Sequence, residues 1–186
     1  MRRASLAICV LVLALGCAGE AAQEWEISGL STPPPETLQA HAASVRAAGG
    51  RVFLAEVDAV AAVTPERVPG PEDLFVEYPQ GDVELTVVDA LGETIDAEVT
   101  VRGSTDLPTV VDAEGAEASD WVISGASLEQ WQTRLLPSSG AAVFFVVPGA
   151  PGAPERATWI APVVDGQVLA DGCVDETPVS PSALTR

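Results

Sequence analysis

The chain has 186 residues, 27 of them acidic against nine arginines and no lysine, for a formal net charge of −18 and an isoelectric point near 4.1. A surface this negative repels nucleic acid and anionic lipid headgroups, and a chain without lysine cannot carry a phosphate-cradling glycine loop that ends in that residue. Its length suits one core of ordinary size and is short for two independent domains.

The first predicted element is an export signal. Arg2 and Arg3 precede a run of ten apolar residues from Leu6 to Leu15, and small residues follow. Ten residues cannot span a hydrocarbon core of ~30 Å, which takes roughly 20 in a helix, so the segment is expected to be removed rather than kept as an anchor. Ala14-Leu15-Gly16-Cys17 resembles the lipobox of bacterial lipoproteins. That resemblance implies a signal peptide over 1–16, cleavage before Cys17, a diacylglyceryl thioether on its sulfur and an acylated amino group. Two or more fatty chains anchor stably where one holds only reversibly. Ala18, where an inner-membrane protein of this kind often has aspartate, points to the outer membrane rather than the inner one. An ordinary secretory signal cut nearby is the alternative.

With Cys9 lost alongside the signal and Cys17 taken by lipid, Cys173 is left alone, so no disulfide framework is expected inside the domain. Were Cys17 left unmodified, a bridge to Cys173 would be open. The acidic surroundings of Cys173, after Asp171, should raise its thiol pKa and leave it inert.

Residues 17–50 read as a spacer with one short helix. Ser31-Thr32-Pro33-Pro34-Pro35 is stiff and extended. From Glu36 to Ala48, Leu38, Ala42 and Val45 share a helical face, and Gly49-Gly50 stops the helix. His41, the chain's one histidine, lies in this helix and reads as solvated.

From Arg51 the period changes to two. Strands are expected over Arg51–Ala59, Val83–Val88, Ala97–Arg102, Thr109–Asp112, Trp121–Ile123 and Ala142–Val147, the last apolar on both faces and therefore central. Asp89-Ala90-Leu91-Gly92-Glu93 makes a turn, and Asp165-Gly166 sits at a type I′ hairpin between Val163 and Leu169. Ser127-Leu128-Glu129-Gln130 reads as a capping box opening a helix whose Leu128, Trp131 and Leu135 share a face, although Gln132 to Leu136 also fits a strand.

Such spacing of strands and turns indicates an all-β sandwich or small barrel over 51–172, with 173–186 as a tail. Val83 to Val101, with its Asp-x-x-Gly turn, is similar to the strand-turn-strand of bacterial immunoglobulin-like domains of the invasin and intimin type. Val111-Asp112-Ala113-Glu114-Gly115 and Trp121-Val122-Ile123-Ser124-Gly125 resemble that family's next turn and strand. Gln132-Thr133-Arg134-Leu135 and Val143-Phe144-Phe145 fall where its last two strands belong. The resemblance covers roughly Val60 to Val147 and implies an immunoglobulin-like β-sandwich. The alternative is a small five-stranded oligonucleotide-binding-type β-barrel.

Catalysis is not expected. There is no Gly-x-Ser-x-Gly elbow, and His41 is the only base around which a serine triad could be built. Zinc would find only His41 and Cys173 in the mature chain, and the carboxylate pairs Asp96/Glu98 and Asp112/Glu114 lack calcium-loop spacing. No cofactor and no metal are expected. Trp25, Trp121, Trp131 and Trp159 read as core or interface. The expected function is a membrane-anchored envelope lipoprotein acting as a non-catalytic binding or structural module. Its partners would be the bilayer, through acylated Cys17, and a protein or glycan, with no nucleic acid. The alternative is a periplasmic inhibitor or accessory protein of an envelope enzyme.

Overall fold

The computed structural model describes residues 22–26, 34–137 and 139–185. The expected signal peptide and the lipid-bearing Cys17 lie outside the described residues. The elements in order are β1 (Gln23–Trp25), α1 (Leu38–Ala47), β2 (Arg51–Pro69), β3 (Phe75–Asp89), β4 (Glu98–Ser104), β5 (Thr109–Val111), β6 (Trp121–Ile123), α2 (Gly125–Gln132), β7 (Ala141–Val147), β8 (Glu155–Val164), β9 (Gln167–Val168) and a 3₁₀ turn over Pro181–Leu184.

The protein is mostly β, as the period-two segments predict, and opposed sheet walls pack face to face over one interior in a sandwich-like manner. The walls are joined at both sides. β2 pairs antiparallel with β3 and with β7, β7 with β8, and β3 with β4, while β4 closes the ring by parallel pairing with β8 through Val101–Glu155 and Arg102–Arg156. This ring of five is the pairing map of the barrel alternative. β2 pairs with β7 on one edge and β3 on the other, and register shifts at Leu54/Ala55, Val57/Ala59 and Val63/Glu66 bend it, which is how bulges let a strand turn a barrel's corner. Gln132 to Leu135, expected as a strand from the immunoglobulin-like resemblance, is instead the end of α2 and a turn, with a single bridge from Leu135 to Ser104.

Alternation along the strands sorts side chains into two layers. Phe53, Ala55, Val83, Leu85, Val101, Phe144 and Ile160 fill the barrel, and Phe53 stacks on Phe144 at 6.0 Å between ring centroids. On the outer face of β2, β7 and β8, Val52, Val143, Phe145 and Ala161 meet Leu38, Ala42 and Val45 of α1 together with Val168, Ala170, Cys173 and Leu184. Both faces of β7 are therefore buried, as its unbroken apolar run requires. This outer layer also crosses the expected domain boundaries. The helix drawn with the spacer and the tail drawn after residue 172 both supply residues to the core.

Local signals explain the ends of α1. Thr37 caps it by accepting from Ala40 N at 3.1 Å, and the amides of Gly49 and Gly50 close it on Arg46 O and Val45 O, each at 2.9 Å. Gly49 has φ +80°, and a Cβ at Gly50 would lie 2.3 Å from Val146 O, so chain direction and sheet contact both demand glycine here. The hairpin at Asp165-Gly166 has φ +51° and +74°, the signs a type I′ turn needs. A third cluster, around Val76, Tyr78, Val110, Ile123 and Trp131, joins β3 and β5 to β6 and α2.

Candidate ligand pocket

A cavity of about 410 Å³ opens between α1 and the turn that follows α2, within the range of ~300–1,000 Å³ common for small-ligand sites. His41 enters it from α1. Leu38, His41, Ala42 and Val45 are spaced i, i+3, i+4, i+7, so His41 belongs to the packed stripe at its edge, and the expectation of a solvated histidine is corrected. Its ring lies 4.9 Å from that of Phe145 and 4.9 Å from that of Trp159, between centroids. Burial, with a smaller effect from the Arg134 charge, pushes its pKa down to about 4, so the imidazole is neutral near pH 7. Its Nε2 is buried with no hydrogen-bond partner. An unpaired polar atom of this kind costs free energy unless something fills its valence.

Arg134 is delivered from the opposite side. α2 is capped by Ser124, whose Oγ accepts from Ser127 N at 3.3 Å, so the cap falls three residues before the Ser127 expected from sequence. After Gln132 hydrogen bonds fix the turn. Thr133 Oγ1 donates to Gln130 O at 2.8 Å, Arg134 N to Trp131 O at 2.9 Å, and Ile160 N of β8 to Thr133 O at 2.7 Å. The guanidinium carbon of Arg134 sits 5.1 Å from the centroid of Trp131, a cation–π distance. Burial, and then the charge of Arg156, lower the pKa of Arg134, yet a guanidinium stays a cation in proteins.

What separates Arg134 from its fellows is the lack of an acid. Arg46 pairs with Glu93 (2.6 Å), Arg67 with Glu77 (2.7 Å), Arg102 with Asp82 (2.7 and 2.9 Å), Arg156 with Glu66 (3.3 Å) and Arg51 with Glu155. Among the described residues Arg134 alone of the arginines has neither ion pair nor hydrogen bond to its guanidinium, and no Asp or Glu lines its cavity. Trp159, Pro34 and Pro35 supply apolar walls. A cation held without a counter-charge, beside flat apolar surface, can accept an anion.

Elsewhere the arrangement offers less. Cys173 is buried in the outer layer. Its thiol is pushed up to about 11, chiefly by burial and then by Glu176, Asp175 and Asp171, so the acidic setting expected from sequence contributes but does not lead. Asp58, Glu84 and Glu98 surround a hollow across β2, β3 and β4 and would repel phosphates. Among the described residues no group of three or more His, Cys, Asp or Glu is placed to hold a metal ion. Trp25 and Trp121 meet edge to face at 6.4 Å across the β1–β6 pair, and Trp131 packs on Tyr78 at 4.9 Å. Trp159 is the tryptophan that faces the cavity.

Sequence reasoning missed both His41 and Arg134 as pocket residues. The helical spacing of His41 was a legible signal. For Arg134 none existed, because its distinction is a partner it does not have. No family model matches this chain, and no curated protein or solved structure matches it.

Proposed function

We propose that this chain is a lipid-anchored, non-catalytic binding module of the cell envelope, held to the bilayer through acylated Cys17 and presenting the pocket between α1 and α2 to a small ligand. The observation that carries the binding half is Arg134, a half-buried cation without a counter-charge among the described residues, in a chain where acids outnumber arginines threefold. Leaving it unpaired has a cost that an incoming anion would offset. The absence of catalysis is supported by the chemistry of the candidates. His41 has no hydroxyl or carboxylate hydrogen-bonded to it among the described residues, and the Cys173 thiol is held protonated. The acidic β3–β4 face supports a role away from nucleic acid.

The anchor rests on Cys17 and its preceding residues, and no helix among the described residues is long and apolar enough to cross a membrane. Fractionation of cells expressing the full chain tests it. The wild-type protein should sediment with membranes and Cys17→Ser should move to the soluble fraction. A soluble wild type, or a variant that still sediments, overturns the tether.

A further inference from the structure

We infer that the cavity between α1 and the α2–β7 turn takes a small monocarboxylate with a flat apolar body, its carboxylate on Arg134 and its body against Trp159, beside the His41 ring. This rests on the reading of the cavity as a binding site and adds the class of ligand.

The charge of the ligand follows from counting cations. Arg134 is the one arginine in the lining, and Arg156, whose field acts on it, is already engaged by Glu66. One free positive charge matches one negative charge, whereas a phosphate dianion would want a second cation or a set of backbone donors. The five N–H groups of a guanidinium form a planar fork, and a carboxylate is the singly charged anion that fits it in two parallel bonds. The cation–π contact with Trp131, 5.1 Å from guanidinium carbon to ring centroid, engages the guanidinium without using its N–H groups.

The shape follows from the walls. Trp159 is wedged between the His41 ring and Gly172, where a Cβ would come within 3.3 Å of its indole, so the ring is fixed in place. Pro34 and Pro35 face the same cavity and have no rotamer freedom to lose. Rigid planes favour a flat ligand over a flexible one, because neither partner then loses much entropy on binding. The His41 ring lines the same cavity and packs on Trp159 at 4.9 Å between centroids, so a ligand seated against Trp159 changes the surroundings of the imidazole.

Because His41 is the only histidine in the chain, its imidazole nitrogens give a signal that needs no assignment. The full chain in detergent, labelled at histidine with ¹⁵N, is titrated with trans-cinnamate, with its uncharged amide and with inorganic phosphate. Cinnamate should shift the imidazole signals saturably. The amide should bind at least about tenfold more weakly, as should cinnamate to Arg134→Gln, while Arg134→Lys falls between because it keeps the charge and loses the fork. Melting of both variants is measured alongside, so that a loss of binding is scored on folded protein only. Equal binding of the amide, or unaltered binding by Arg134→Gln, overturns the carboxylate assignment and leaves the pocket a binding site. Phosphate binding more tightly than cinnamate overturns the ligand class in favour of an oxyanion of higher charge. No shift with any of the three overturns this inference and the binding half of the proposed function together.

Discussion

At His41 the imidazole stands between two aromatic rings, and burial holds its pKa at about 4 against an ordinary 6.5. The unfolded chain takes up a proton at this residue as pH falls through 6.5, while the folded chain resists until about 4. The contribution is therefore fully present above pH 6.5 and is lost as pH falls toward 4. The full shift corresponds to ~3 kcal/mol, which partial solvent access reduces to roughly 2 kcal/mol. Urea unfolding of wild type and His41→Gln isolates it, since carboxylates cancel in the difference. The wild type's stability relative to the variant should drop by roughly 2 kcal/mol between about pH 7 and about pH 4.5. A difference that stays flat would mean that the ring is solvated, as the sequence alone suggested.

Among the elements, α1 and the last residues of the chain carry the most consequence for where the domain ends. The helix lays Leu38, Ala42 and Val45 on the outer face of the β2–β7–β8 wall, and Leu184, from the 3₁₀ turn, is fully buried in the same cluster. Arg46 binds this layer together, donating to Glu93 Oε1 at 2.6 Å and to Leu184 O at 2.8 Å. Leu184→Ala should therefore cost roughly 2–4 kcal/mol in urea unfolding, the range for truncating a core leucine. A loss under about 0.5 kcal/mol, typical of surface changes, would place the tail outside the core.

For the whole molecule, the dominant electrostatic fact is the net charge of −18. Five ion pairs among the described residues oppose it locally, but most of their side chains are partly exposed, where such pairs contribute little. Self-repulsion spread over the surface is the larger effect and is screened by salt. The melting temperature of the full chain should rise by roughly 2–5 °C between about 0.02 M and about 0.5 M NaCl, as read by calorimetry. A fall would mean that the ion pairs outweigh the repulsion.

The all-β class, the strand positions at Thr109–Val111, Trp121–Ile123 and Ala141–Val147, the type I′ turn and both glycines after α1 were legible in the sequence. They are local properties, set by period, by side-chain volume and by the sign of φ. Closure of the ring was not legible, because the parallel pairing of β4 with β8 joins residues more than 50 positions apart and leaves no periodic mark. Nor was the pocket, whose residues come from α1, the end of α2 and β8. Whether an arginine has an acid beside it depends on which segments the fold brings together, and only the tertiary structure decided that Arg134 has none among the described residues.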